Sequence, residues 1–231
     1  MNLFERGRDA VASFIDTGGP VVAILLAMSV LSVAVILFKM WQFYAAGVGR
    51  HSRLNAALDL WDRGSGTAAQ DTLSTSPNHL APLLSGAMTA VVGRKDTTGL
   101  PNRIEASAQA QLTKLENGFR LLDSIAQLAP LLGLFGTVLG MIEAFRQLQG
   151  AGSSVDPSLL AGGIWVALMT TAVGLAVAMP TSLLLTWLES RVAAERIMAD
   201  TSLQRIFCPG VLLTDAKDVA TDVQKAALHA G

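Results

Sequence analysis

Charged residues are sparse along this chain, and the longest uncharged runs set its architecture. Leu128 to Ile142 carries no Asp, Glu, Lys or Arg, and neither does Pro157 to Leu188. A third apolar run, PVVAILLAMSVLSVAVILF, fills positions 20–38. A bilayer core of about 30 Å needs about 20 apolar residues in a helix. The run from Pro157 exceeds that length. The run from Leu128 reaches it with its flanks, 124–127 and 143–148. The pattern predicts an all-α membrane protein with three transmembrane helices, at 18–40, 121–148 and 158–188, and a short hairpin at 149–157 between the last two. The second and third spans are expected to continue as long helices outside the bilayer, over 103–148 and 158–207.

The remaining segments are polar or amphipathic. Residues 1–17 are weakly amphipathic, with Leu3, Phe4, Val11, Phe14 and Ile15 able to lie in the membrane interface. Gly18, Gly19 and Pro20 then break the chain. The run at 20–38 is too long for a signal-peptide core, and Lys39, Trp41 and Tyr44 behind it form an interfacial anchor, so it reads as a retained span. Within 41–120, Leu54, Leu58 and Trp61 repeat at helical spacing and Gly64 stops that helix. His79 to Val92 forms a second apolar stretch closed by Gly93. GRKDTTGLP reads as a loop, after which Asn102 is expected to cap a helix with Glu105 as its capping-box partner. Ile104, Ala108, Leu112, Leu115, Phe119 and Leu122 carry that helix into the second span. The tail, 189–231, is helical to Cys208 and loosely held beyond Pro209 and Gly210.

Composition supports the membrane assignment and narrows the chemistry. The chain is 51% hydrophobic and 15% charged, against about 25% charged in soluble domains. A net charge of −1 with no dense basic patch argues against a nucleic-acid partner. Cys208 is a lone cysteine, and no Cys/His spacing suits a metal; no cofactor motif is present. His51, His79 and His229 sit in polar stretches and read as solvated. With no phosphate loop, nucleophile elbow or paired carboxylates, no enzyme activity is expected. Orientation follows from the basic residues. Arg50, Arg53, Arg63, Arg94, Lys95, Arg103, Lys114 and Arg120 lie in 45–120, the tail after Leu188 holds five more, and 149–158 holds none. Positive segments stay inside. The N-terminus and the 149–157 hairpin are therefore expected in the periplasm, with 41–120 and the tail in the cytoplasm.

The two long spans carry small residues at helical spacing: Gly133, Gly136, Thr137 and Gly140 on one, and Gly163, Ala167, Thr170, Thr171, Gly174 and Ala178 on the other. Such stripes let membrane helices approach closely. They fit plain helix packing, and they equally fit a shared polar path lined by Thr137 and Thr171. Glu143 and Arg146 lie three apart near the outer end of the second span, as an interfacial ion pair or, for Glu143, a proton entry. Pro130 and Pro180 interrupt the backbone ladder of their helices and are expected to kink them.

GLFGTVLGMIEAF followed by GIWVALMTTAVGLAVAMP resembles the ExbB/TolQ/MotA group of bacterial inner-membrane proton-channel subunits, most closely the ExbB-like biopolymer transport proteins. The resemblance is tight over about 120–190 and looser elsewhere. It implies a pentameric ring in the bacterial inner membrane around a dimer of an ExbD/TolR-like partner, whose membrane helix brings an Asp into the pore. Lipid surrounds the ring, and a TonB-like protein receives the work. In such a ring the spans' own hydroxyls, on Thr137, Thr170 and Thr171, are expected to line the proton path. Many relatives carry Glu or Gln where this chain has Val166, so its own spans offer hydroxyls but no acid. Three rivals remain: a TolQ-like envelope-maintenance role, a non-conducting ring scaffold, and a small-molecule transporter, for which no repeats or broken helices are visible.

Overall fold

The computed structural model describes residues 3–93, 99–150 and 157–208. The 94–98 part of the expected loop, most of the hairpin, the tail beyond Cys208 and His229 lie outside the described residues. Seven helices follow one another: α1 (Leu3–Ala45), α2 (Ser52–Asp62), α3 (Gly66–Ser74), α4 (Ala81–Val92), α5 (Leu100–Glu116), α6 (Phe119–Gly150) and α7 (Pro157–Phe207). Among the described residues there is no strand. Three helical stretches are long and apolar enough to cross a membrane: Gly19–Ala45, Leu100–Gly150 and Leu160–Phe207. This is an all-α membrane protein with three spans.

The chain divides into two compact units. The first takes Met1–Met40 and Asn117–Leu188. Its packing centre is Val21, Leu25, Ile125, Ala129, Val177 and Ala178, contributed by α1, α6 and α7. Most of its other large apolar side chains point outward, among them Leu131 at 60% and Leu183 at 73% exposure. Helices that exposed such surface to water would not stay apart, whereas lipid tails solvate it as well as protein does. Inside α1, Gly19 takes φ 67° and ψ −166° just before Pro20, so the helix is two helices joined at a kink. Only glycine adopts that backbone at little cost.

The second unit takes Trp41–Glu116 and Glu189–Gly231. Its core is Leu54, Ala57, Leu58 and Trp61 of α2, Ala69 and Leu73 of α3, Leu84, Ala87 and Met88 of α4, and Ala199, Leu203 and Ile206 of α7. Arg205 of α7 binds the carboxylates of Asp59, at 2.7 Å, and Asp62 of α2. Arg196 pairs with Glu116 at 2.9 Å.

Two sequence expectations are corrected, and two features were not anticipated. The helix expected over 103–148 is broken between α5 and α6 at Asn117 and Gly118, where Gly118 takes φ 91°. An Asn-Gly pair favours that left-handed turn, and the apolar stripe running through it hid the break. Asn102 is not a cap: α5 starts at Leu100, with Pro101 in its first turn, where a missing N–H costs nothing. α3 was not anticipated, because its sequence GTAAQDTLS offers only Ala69 and Leu73 to the core. Nor was the burial of Lys39 anticipated: it is 2% exposed, its ammonium lying 5.9 Å and 5.8 Å from the ring centres of Phe38 and Phe119. A long apolar stem and a cation–π contact make that burial tolerable.

Candidate functional site: the glycine seam of α6 and α7

α6 and α7 meet along their small residues. A methyl group built on Gly163 would come within 2.5 Å of Ala144 Cβ. On Gly140 it would lie 3.0 Å from Ala167 Cβ, and on Gly133 3.0 Å from the Thr170 carbonyl oxygen. On Gly174 it would sit 2.5 Å from the Ala129 carbonyl oxygen. These separations leave no room for Cβ atoms, so the two backbones touch. Close contact of this kind replaces hydrophobic driving force where lipid is the solvent.

The threonines are placed differently from one another. Thr170 is 2% exposed, and its hydroxyl donates to the Ala167 carbonyl at 2.7 Å and lies 3.2 Å from the Gly133 carbonyl of α6. A side chain on Gly136 would collide with that hydroxyl. The Thr171 hydroxyl is shut off from solvent and, among the described residues, has no hydrogen-bond partner. Thr137 is half-exposed and its hydroxyl donates within its own helix, to the Leu134 carbonyl at 2.6 Å. The seam thus gathers Thr170 and Thr171 against Gly133 and Gly136, with Thr137 turned back onto α6. Val166 is half-buried on α7.

The remaining residues sit at the edges. Glu143 is exposed and accepts from the Gln147 amide at 3.2 Å; among the described residues it makes no ion pair with Arg146. Pro130 and Pro180 each lie inside a continuous helix. Among the described residues no group of three metal-ligating side chains comes together.

A second polar cluster, in the other unit, was not anticipated. Glu195 of α7 is 0% exposed. Its carboxylate accepts from the Gly49 backbone N–H, meets His51 Nε2 at 2.8 Å, and lies 3.3 Å from the Asn78 amide nitrogen. Asn78, itself 2% exposed, also reaches the Gly47 carbonyl at 3.3 Å. Next to it, the His79 backbone N–H donates to the Ala46 carbonyl at 3.0 Å, while both ring nitrogens are shielded from solvent without a hydrogen-bond partner. Burial lowers the His79 pKa below its ordinary 6.5, partly opposed by the nearby Glu195 carboxylate and the Ala46 carbonyl, with His51 adding a further downward push. His51 and His79 are therefore not freely solvated. A signal for Glu195 was present: Leu188, Val192, Glu195, Ala199 and Ser202 recur at helical spacing, which puts the carboxylate on the buried stripe.

These observations define a class: a multi-pass helical membrane protein whose two long spans pack backbone to backbone around buried hydroxyls. Residues 75–200, which include both motif-bearing spans, match the model of the MotA/TolQ/ExbB proton channel family. The chain belongs to that family. It is 47% identical to biopolymer transport protein exbB1 of Vibrio cholerae over 72 residues, 31% of this chain and 32% of that protein. A putative biopolymer transport protein ExbB homolog of Methanothermobacter thermautotrophicus is 27% identical over 188 residues, 80% of this chain and 65% of its own length. The Tol-Pal system protein TolQ of Haemophilus influenzae is 35% identical over 96 residues, 42% of each chain. The chain thus spans about a third to just under two thirds of these relatives.

Proposed function

We propose that this protein is an ExbB-like subunit of a motor in the bacterial inner membrane, driven by the proton-motive force. In this reading it forms a ring, a pentamer, around an ExbD/TolR-like partner, and the complex conducts protons and passes work to a TonB-like protein. The observation that carries the reading is the family match over 75–200, which takes in both helices of the glycine seam. The outward apolar surface of the first unit supports assembly, and the distribution of Lys and Arg supports a periplasmic N-terminus and a cytoplasmic second unit. It acts as a conduit and scaffold, with no enzymatic step. One elementary charge crossing about 100 mV releases roughly 2.3 kcal/mol, enough to bias a conformational step.

Val166 shapes the mechanism. A hydroxyl can relay a proton but cannot hold one near neutral pH. The titratable group then comes from the partner's membrane helix, and Thr171, whose shielded hydroxyl has no bond in the seam and reaches the partner only by turning to another rotamer, is the residue able to hydrogen-bond it. The match to TolQ favours one alternative, an envelope-maintenance motor with the same ring chemistry. The test is proton flux into proteoliposomes that hold this protein with its ExbD-like partner. Flux should require both proteins and should fall in Thr137→Val/Thr171→Val while ring assembly, read by native mass spectrometry, is kept. Absence of flux from the wild-type pair would leave the non-conducting scaffold; wild-type flux in the double variant would take these threonines out of the path.

A further inference from the structure

The Glu195 cluster has the construction of a switch. Two short segments, 46–51 and 76–80, are held to each other and to α7 by polar contacts centred on one buried carboxylate: the Gly49 N–H and His51 from the first segment, and the Asn78 amide from the second. The segments bind each other through the His79 N–H to the Ala46 carbonyl, at 3.0 Å, and the Asn78 amide to the Gly47 carbonyl, at 3.3 Å. His79 stands at this junction half-buried, both ring nitrogens shielded from water and without a hydrogen-bond partner, although the nearby Ala46 carbonyl favours a charged ring. A neutral imidazole tolerates that site; an imidazolium has two N–H donors to satisfy and a charge to solvate there.

We propose that this cluster is an acid-sensitive latch, in which protonation of the half-buried His79 imidazole, at its shielded ring nitrogens, releases segments 46–51 and 76–80 from α7. The charged groups that act on His79 are Glu195 of α7, which favours the imidazolium, and His51 of the first segment, which opposes it. Arg50 of the first segment lies with its guanidinium 5.1 Å from the Tyr44 ring centre, and Arg191 stands one turn before Glu195 on α7. Burial outweighs the Glu195 attraction and keeps the His79 pKa below the ordinary 6.5. A depressed folded-state value means that the stabilisation is complete above the unfolded value. It is lost as pH falls from 6.5 toward the folded value. His51 bonds the Glu195 carboxylate directly, at 2.8 Å, which His79 does not. The two histidines are therefore separable by experiment. Its use as a brake on inward proton flow, which acidifies the inner side, rests on the conducting role proposed above; the latch itself does not.

The experiment is amide hydrogen exchange with mass spectrometry on the full-length protein in nanodiscs, between about pH 7.5 and about pH 5.5, with labelling times scaled for the intrinsic pH dependence. After that scaling, peptides covering 46–51 and 76–80 should exchange several-fold faster at the acid end, while the α2 core peptide around Leu58 stays protected. His79→Phe keeps a ring of similar size but cannot titrate, and should abolish the acid response. His51→Gln should leave it in place. Equal acid responses in wild type and His79→Phe, or a flat wild-type profile, would overturn the proposal. Loss of the response in His51→Gln alone would assign the switch to the Glu195 pair and overturn it too. Should His79→Phe not fold, NMR titration of 13C-labelled histidine in the wild-type protein decides: a His79 that titrates at or above 6.5 refutes the latch. Failure of the flux assay leaves these readouts untouched.

Discussion

Moving a single methyl group across the α6–α7 seam tests whether backbone contact holds the two spans together. At Gly163 an alanine Cβ would lie 2.5 Å from the Cβ of Ala144 and 3.3 Å from its Cα, so the helices must separate or shift. Its neighbour Gly162 has nothing within 4 Å of the same built atom. Glycine inside a helix is worse than alanine by roughly 0.5–1 kcal/mol, so Gly162→Ala should stabilise by about that amount. Gly163→Ala has the same propensity gain but adds an overpacked contact costing about 1–3 kcal/mol. The two adjacent substitutions should thus differ by about 2 kcal/mol, with opposite signs relative to wild type. Ala144→Gly/Gly163→Ala places the methyl on the other helix and removes the 2.5 Å clash, leaving only the 3.3 Å approach to the Cα; the cycle should recover at least about 1 kcal/mol of coupling. Stability is read from unfolding in mixed micelles titrated with SDS, followed by the fluorescence of Trp165 and Trp187 on α7. If Gly163→Ala is as stable as Gly162→Ala, or if Ala144→Gly gives no rescue, the seam does not rest on backbone contact at this point.

Two further perturbations address the buried polar groups. Thr170→Val removes a hydroxyl bonded at 2.7 Å and should cost about 0.6 kcal/mol in the same unfolding assay, whereas Thr171→Val removes an unpaired one and should be neutral or stabilising. Glu195→Ala strips the Gly49 N–H, His51 and Asn78 of their shared acceptor and should destabilise the second unit by about 3 kcal/mol, with Glu195→Gln, which keeps an acceptor oxygen, clearly milder in a denaturant melt.

What the sequence made legible follows its strongest physical signals. Long uncharged runs that reach bilayer length, alone or with their flanks, admit one reading, which is why the three spans and the all-α class could be read directly. α2 and α4 were visible because Leu54, Leu58 and Trp61, and the apolar run closed by Gly93, obey a helical period at the surface of a core. Local breaks were harder. Asn117 and Gly118 interrupt a stripe that is apolar on both sides, so periodicity outvoted turn chemistry; α3 buries too little to leave a pattern. The glycine stripes announced close approach but not which hydroxyl would be left over. That depends on rotamers, since Thr170 turns its hydroxyl to the Ala167 and Gly133 carbonyls while its neighbour Thr171 finds neither. The histidines misled because exposure was judged from polar neighbours in sequence. The carboxylate they face lies more than a hundred residues away, at Glu195.

The contrast between Glu195 and Val166 sharpens what a proton path through the seam requires. A buried carboxylate persists where donors surround it, and Glu195 has a backbone N–H, an amide and an imidazole. The seam offers none of these: its backbone donors serve the helices, and the Thr170 hydroxyl is already committed to a carbonyl. An acid at position 166 would bring a charge with no partner in this chain, at a cost of about 2.5–3.5 kcal/mol on insertion scales. With valine there, the seam is stable alone and leaves one hydroxyl, on Thr171, without a bond. On the conducting reading, the partner's acid completes that bond, and the three threonines then rank by how free their hydroxyls are. Thr171→Val should reduce flux most, Thr137→Val less, because its hydroxyl can swing from the Leu134 carbonyl, and Thr170→Val least, because its bonds serve packing. Single-variant flux in proteoliposomes with the partner present gives the order. A Thr170→Val protein that assembles normally yet loses more flux than Thr171→Val would show that the bonded hydroxyl, not the free one, meets the proton.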